Sequence, residues 1–172
     1  MKKIIAILTA ALITVSLCAC GGNSGSSEGS TASTASTAST VESTGSLKDA
    51  LENVKSSVTM PTDTTDYTAK KIKRTFGIEE DRMEEFAGMY CSDGLTQDMV
   101  LYIKAKTDDD VSFIESKLKE NRESIYKVVK NYTPDQQEMI EKSTVDVNGR
   151  YVCLVISPKA DEIKSIFNGV TK

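Results

Sequence analysis

Four cysteines and a complete absence of histidine set the limits on what chemistry this 172-residue chain can do. Serine and cysteine nucleophiles of the Ser/His/Asp and Cys/His types need an imidazole base, so the composition excludes both arrangements. The pair Cys18 and Cys20 has no further Cys or His nearby to complete a zinc site. Cys91 and Cys153 have no basic residue beside them to activate a thiolate, and a thiol enzyme is therefore the weaker interpretation.

Cys91 and Cys153 also raise the question of a disulfide. Outside the cytosol such a bond is permitted, and both residues lie at or near predicted strands. Bridging requires α-carbons within about 7 Å of each other. The alternative is a buried structural thiol, which the apolar run around Cys153 favours.

Acidic residues form two runs that could be considered for metal binding or acid/base catalysis. The stretch TDDDV lacks the spaced ligands and the terminal Glu of a calcium loop, and acids are typical of a helix start. The second run indicates a solvated edge, because nothing nearby demands a shifted pKa; it comprises Glu79, Glu80, Asp81, Glu84 and Glu85. No Gly-rich phosphate loop is present, and we predict neither a metal nor a cofactor.

Arg122, Tyr126 and Lys130 recur at intervals of four residues, with Tyr132 just beyond. On a helix this spacing places the first three side chains along one face. Together the four could bind an anionic or sugar ligand. The favoured alternative is structural, with Arg122 and Tyr132 pairing across a helix–sheet junction.

The amino-terminal twenty residues carry the clearest functional signal. Lys2 and Lys3 precede an uncharged run of fourteen residues, 4–17, which is too short to span a bilayer and fits a signal peptide. The sequence Leu17-Cys18-Ala19-Cys20 resembles the bacterial lipobox. That resemblance implies cleavage after Ala19 and a diacylglyceryl thioether on Cys20, whose two acyl chains hold a protein stably on the bilayer. An ordinary secretory signal is the weaker alternative.

Composition divides the rest of the chain into a spacer and a domain. We expect residues 1–19 to be a lipoprotein signal peptide, and residues 20–45 to be the lipidated cysteine and a disordered tether rich in Gly, Ser, Thr and Ala. Residues 46–172 are enough for one globular domain. Without residues 1–19, nineteen basic residues face twenty-five acidic ones, and this balance excludes nucleic acid as a partner.

Hydrophobic periodicity predicts five helices in the domain. They cover residues 46–58, 69–76, 107–132, 133–143 and 157–169. Gly77 and Gly169 are expected to end two of them. Thr107 and Thr133 are expected to be N-caps, with Asp110 and Gln136 as their partners three residues on.

Two hairpins complete the predicted fold. Residues 82–91 and 97–106 read as two strands joined by SDGL, and the second strand alternates with one buried face. Asn148-Gly149 predicts a two-residue turn in which Val145 faces Val152. The run 152–156 is apolar on both faces, which indicates an interior strand. The fold class is therefore α+β: a single domain whose four-stranded, mainly antiparallel sheet is packed by a long central helix and flanking helices.

Several of these pieces, in this order, resemble the bacterial lipoprotein family known as domain of unknown function family 4358, common in low-GC Gram-positive anaerobes. The matching pieces are MVLYIKAK, KENRES around Arg122, NYTPDQQ and VDVNGRYVCLVIS, and the resemblance covers roughly residues 66–168. Where the family has a Glu before the second strand, this chain has Asp98. The resemblance implies a fold and a cellular address. It implies no reaction and no catalytic residues.

These observations predict a membrane-anchored lipoprotein on the extracytoplasmic face of the cell membrane, of unknown specific activity, that serves as a non-enzymatic binding or interaction module of the cell envelope. Its partners would be the bilayer, through the lipid on Cys20, and an envelope protein or a small ligand. Two alternatives remain open: an envelope hydrolase or thiol-redox enzyme that uses Cys91 or Cys153, and an accessory ligand-capture subunit of a transporter. A pocket with converging polar groups favours ligand capture, an exposed low-pKa thiol favours an enzyme, and a free edge strand favours protein contacts.

Overall fold

The computed structural model describes residues 45–94 and 96–171, apart from the side chains of Tyr132, Pro134 and Asp135. Cys20, the signal segment and the tether up to residue 44 lie outside the described residues. The helices are α1 (Leu47–Ser57), α2 (Ala69–Phe76), α3 (Asp108–Tyr132), α4 (Pro134–Lys142) and α5 (Ala160–Asn168), and the strands are β1 (Thr64–Asp66), β2 (Met83–Cys91), β3 (Met99–Ala105), β4 (Val145–Asn148) and β5 (Tyr151–Ile156). The predicted α+β class, the single domain and the long central helix are confirmed.

The sheet has five strands in the order β1-β2-β3-β5-β4, and every pairing is antiparallel. The prediction of four strands was wrong, because β1 is a fifth. Its sequence, Thr-Thr-Asp, is polar and mostly exposed, so it carries no apolar alternation by which it could be found. Main-chain bonds fix this edge strand instead: beyond its two ends, Tyr67 N donates to Gly88 O at 2.9 Å and Ser92 N donates to Asp63 O at 2.7 Å.

Helices cover both faces of the sheet, which makes the domain three layers thick. Alternate residues of β3 belong to different hydrophobic clusters: Leu101 and Ile103 pack with α2, α3 and α4, whereas Val100 and Tyr102 pack with α1 and α5. The prediction of a single buried face for β3 was therefore incomplete. All members of both clusters lie between residues 47 and 170, so this part of the chain contains its own core.

Local signals place most helix ends where the sequence predicts them. Ser46 and Asp49 form a reciprocal capping box at the start of α1, α2 ends at Gly77 with φ 71°, and the Thr107 hydroxyl accepts a hydrogen bond from Asp110 N at 3.3 Å. The capping box predicted at Thr133 is absent, since the Thr133 side chain makes no cap bond. Its expected partner Gln136 instead accepts from Gln97 N at 2.8 Å.

The β4–β5 hairpin forms with a register two residues away from the predicted one. Asn148 pairs with Tyr151 and Val145 pairs with Leu154, so the two-residue turn consists of Gly149 and Arg150. Gly149 has φ 56°, the left-handed conformation that the first position of this turn requires. Because the shift is by two, each side chain stays on the face predicted for it.

Candidate functional site

The four residues predicted as a ligand cluster lie on α3. The guanidinium of Arg122 forms hydrogen bonds with the C-terminal end of the neighbouring helix α4. Its Nε donates to Ser143 O at 2.8 Å and to Ser143 Oγ at 3.0 Å, and its Nη2 donates to Ile140 O at 2.8 Å and Glu141 O at 2.9 Å. A fifth contact joins Nη1 to the Glu123 carboxylate at 2.9 Å. These carbonyls end α4, where a helix has no donors of its own. Arg122 is therefore a C-terminal cap for α4.

Tyr126 is held at the same junction. Its hydroxyl donates to Glu141 Oε1 at 2.6 Å, and Gln137 Nε2 donates to the same carboxylate oxygen at 2.9 Å. These bonds lower the pKa of Glu141, and the charges of Arg122 and Lys130 add to the effect. Lys130 itself is exposed, and the side chain of Tyr132 lies outside the described residues. Arg122 and Tyr126 therefore join α3 to α4, and their donors are used within the chain.

Cys91 and Cys153 are both buried and free, and the disulfide that the sequence left open does not form. Cys153 lies opposite Tyr102, which lies opposite Ala87 on β2. Strand β3 therefore separates the two thiols, which alone amounts to roughly 9.5 Å. Cys91 lies four residues further along β2 than Ala87, which adds about 13 Å along the strand. Both distances exceed the reach of a disulfide, about 7 Å between α-carbons.

Three of the acidic residues that we considered for chemistry are engaged in structural contacts. Glu84 bridges Lys104 and Arg150, with both N–O distances at 2.6 Å, and Glu85 accepts from Leu47 N at 2.7 Å. Asp110, from TDDDV, forms an ion pair with Arg82 at 2.7 Å. Among the described residues no group of three or more acids and cysteines is arranged to hold a metal ion.

The richest set of chemical groups lies in a groove between β4 and α5, which we call the β4–α5 groove. Its volume is about 330 Å³, and its lining comprises Tyr102, Asp146, Val147, Asn148, Tyr151, Cys153, Lys164, Asn168 and Thr171. Volumes of about 300 Å³ and above are typical of small-ligand sites. Of these positions the sequence singled out only Cys153 for possible chemistry, because the groove is assembled from three strands and a helix.

The floor of the groove is aromatic and held rigidly. The Tyr102 ring stacks on Phe167, with centroids 3.7 Å apart and planes 5° from parallel. Its hydroxyl hydrogen-bonds to the Cys153 sulfur directly across the β3–β5 pair. Burial raises the pKa values of both the Tyr102 hydroxyl and the Cys153 thiol. Both groups are therefore neutral at physiological pH, and Cys153 lacks the thiolate that a nucleophile requires.

Asp146 and Lys164 form part of the wall, and both belong to a hydrogen-bonded triad with Thr144. Lys164 Nζ lies 2.5 Å from Asp146 Oδ2 and 3.0 Å from Thr144 Oγ1, and the Thr144 hydroxyl donates to Asp146 Oδ1 at 2.7 Å. Partial burial pushes the pKa of Asp146 upward, but these two donors outweigh it and lower that pKa overall. Beside the triad, Asn148 Nδ2 donates to Thr171 O at 2.7 Å. The wall thus offers a fixed carboxylate, an ammonium and an amide to an entering polar molecule.

A second groove, of about 500 Å³, lies between α4 and α5 and shares Lys164 with the first. Its rim carries the ion pair of Glu138 and Lys142, whose side chains are each 75% exposed. A bound molecule would compete there with bulk water, because the charges are solvated. We prefer the smaller groove, where buried and polar groups converge.

Asp98 is the other unusual group, and it lies at the start of β3. It is 9% exposed and accepts a hydrogen bond from Ser157, which is 6% exposed. Burial raises the pKa of Asp98, and the nearby charge of Asp93 adds to this. The sequence draws attention to this position through the family resemblance, but only the fold shows that the carboxyl is buried.

The fold and the groove define a small three-layer α+β protein. Among the described residues there is no cluster of metal ligands, and both thiols are buried. In the described part of the chain no helix has the length and apolar character needed to cross a bilayer. A protein-family model described as "Domain of unknown function (DUF4358)" matches residues 56–157. The chain belongs to this family. No significant match is found among curated proteins or solved structures.

Proposed function

We propose that this protein is a non-enzymatic binding module held at the extracytoplasmic face of the cell membrane by a lipid on Cys20. The site of binding is the β4–α5 groove, and its ligand is a small polar molecule or a polar segment of an envelope protein. The observation that carries the binding role is the convergence of Asp146, Lys164 and Asn148 above the neutral floor of Tyr102 and Cys153. Charged and amide groups that are fixed by neighbours orient a ligand without further ordering.

The membrane address rests on the sequence around Cys20 and on the composition of the tether that follows. Substitution Cys20→Ser should move the protein from the membrane fraction to the culture medium or leave an unprocessed precursor without palmitate label. Cys18→Ser is the matched control, because Cys18 is removed with residues 1–19, and this variant should stay membrane-bound. Palmitate label that persists in Cys20→Ser would contradict the assignment.

The groove is tested separately on the folded domain, so that failure of the anchor and failure of the site can be told apart. Thermal shifts are measured for amino acids, short peptides and saccharides as probes. A probe that binds should raise the melting temperature of the wild type and lose this effect in Lys164→Met. Lys142→Met, which changes a solvated lysine of the larger groove, should respond as wild type does. A shift that is unchanged in Lys164→Met would move the site elsewhere.

The enzyme alternative draws no support from the geometry. Cys153 is buried and its pKa is raised, and Cys91 is buried in β2, whereas a catalytic thiol needs exposure and a lowered pKa. Capture of a ligand for a transporter uses the same groove and differs only in the protein that receives the ligand. It would be distinguished by a membrane partner that co-purifies with the lipidated chain.

A further inference from the structure

We propose that the outer edge of β4, which pairs with no other strand among the described residues, pairs with β4 of a second copy of this chain. The two strands run antiparallel about a two-fold axis at Val147, and the two five-stranded sheets become one continuous sheet. This inference goes beyond the proposed function and does not depend on the lipid anchor.

Hairpin geometry identifies the main-chain groups that face outward from β4. Ala105 N donates to Arg150 O at 2.7 Å, so the groups of Arg150 point toward β3. The main-chain N–H and C=O groups of Tyr151 then point toward β4, where Asn148 is the residue paired with Tyr151. Successive residues of an antiparallel strand point their main-chain groups to alternate sides. The N–H and C=O groups of Val145 and Val147 are therefore directed away from the sheet.

The outward edge is apolar at its centre. Val147 is 43% exposed, and Val128 on α3 is the other large exposed hydrophobic residue among those described. Sheet edges are usually guarded against pairing by an outward Lys, a Pro or a bulge. β4 has none of these. Its one charge, on Asp146, is neutralised by Lys164.

The opposite edge of the sheet is less suited to pairing. β1 has three residues and no apolar side chain. Its Asp66 forms an ion pair with Lys55 at 2.8 Å, which places a lysine ammonium at the end of the strand. The two edges therefore differ, and the structure assigns self-association to β4.

In one alignment of the two β4 strands, each side chain lies opposite a compatible side chain of the second copy. With Val147 opposite Val147 of the second copy, the two residues exchange both of their outward main-chain hydrogen bonds. Asp146 then lies opposite Asn148 of the second copy, and a carboxylate meets an amide twice. Centring the pair on Asp146 would place two carboxylates opposite each other, which is unfavourable. An edge that complements itself in this way points to a second copy as its occupant.

Pairing would also enlarge the proposed binding site. Asp146 and Asn148 both line the β4–α5 groove, so Asn148 of the second copy would extend the groove wall across the two-fold axis. The interface is small, because only a four-residue strand is paired. We expect dissociation constants of about 0.1–1 mM in solution, with closer association wherever two copies are confined together.

Disulfide trapping tests the pairing directly. The protein used is residues 21–172, which carries both hydrophobic clusters and lacks Cys18 and Cys20. In the proposed register the two Val147 α-carbons lie about 5.5 Å apart, within the range that a disulfide bridges. Under a mild oxidant, Val147→Cys should form covalent dimer at least tenfold faster than Val128→Cys, although Val128, on another face, is the more exposed of the two valines. Equal rates for the two variants would overturn the proposal, as would no dimer from either.

Sedimentation equilibrium provides the second, independent measurement. The wild type should shift from monomer toward dimer as its concentration approaches about 1 mM, and Val147→Lys should remain monomeric at all concentrations. Circular dichroism confirms that Val147→Lys is folded, and Val128→Lys should behave as wild type. A dimer that persists in Val147→Lys, or a wild type that stays monomeric throughout, would show that β4 does not pair with itself.

Discussion

Replacing Arg122 by Met separates its role as a helix cap from a role in ligand binding. The substitution keeps the apolar stem and removes the guanidinium. Four hydrogen bonds to main-chain or hydroxyl oxygens disappear with it. Taken at about 1.5–3 kcal/mol each, four charged bonds would suggest a loss of roughly 6–12 kcal/mol.

The surroundings reduce that figure. Ile140 O keeps two other donors, Ser143 N at 3.1 Å and Ser143 Oγ at 2.7 Å. Glu141 is exposed, so water replaces the lost donor there. Only Ser143, which is 5% exposed, keeps an acceptor that water cannot easily reach. One charged bond to a buried carbonyl then dominates, and we expect Arg122→Met to cost about 2–3 kcal/mol.

For a domain of this size the loss corresponds to about 6–15 °C in melting temperature. Thermal and urea unfolding of the domain without ligand measure it. Arg122→Lys should fall between wild type and Arg122→Met, because a compact ammonium lacks the planar fork whose separate nitrogens reach these carbonyls together. Lys130→Met is the control, an exposed cation two turns further along α3 with an expected change within about 0.5 kcal/mol. A melting temperature for Arg122→Met within about 1 °C of wild type would refute the cap and return Arg122 to the candidate ligand residues.

Three further substitutions and one chemical reaction test other parts of the structure. Gly88→Ala should prevent stable folding, because the new Cβ would lie 2.2 Å from Val100 O on the neighbouring strand. At Gly149 an added Cβ meets no atom, so Gly149→Val should lose only about 1 kcal/mol of stability through the positive φ. Equal melting temperatures for the two variants would contradict this. The pKa of Asp98 is raised in the folded protein, so the wild type loses stability as pH rises and the carboxyl ionises. Asp98→Asn should therefore raise the melting temperature at pH 7, and this gain should shrink as pH falls toward 3.8, the ordinary pKa of the carboxyl. A gain that is independent of pH would show that burial of the charged carboxylate is not its cause. Iodoacetamide should modify Cys153 only after denaturation, and rapid labelling of the native protein at pH 8 would revive the enzyme alternative.

Elements that are marked by a local pattern of side chains could be predicted from the sequence, whereas elements that depend on pairing between distant segments could not. Helix α2 was predicted with its observed ends, since Gly77 and the spacing of Ile72 and Phe76 are local features. Strand β5 was predicted to be interior because its residues are apolar on both faces, and it lies between β3 and β4. β1 was missed because its stability comes from main-chain pairing with β2, to which its polar side chains contribute no pattern. The hairpin turn was misplaced because Asn148-Gly149 and Gly149-Arg150 both satisfy a turn with one glycine.

The candidate site was much less predictable. Asp146 and Lys164 meet only because α5 packs back over the hairpin, and neither residue is marked for binding by its sequence neighbours. Arg122 was singled out by its spacing, but its partners on α4 become visible only when α3 and α4 are packed together. Spacing along one helix therefore identified the right residue, and tertiary packing decided its role.

The membrane anchor is tested most directly by the intact mass and amino-terminal sequence of the protein purified from membranes of the producing bacterium. The account predicts a mature chain that begins at Cys20, carries the mass of a diacylglyceryl group on that residue and lacks residues 1–19. A chain that begins elsewhere, or that begins at Cys20 with an unmodified thiol, would contradict it.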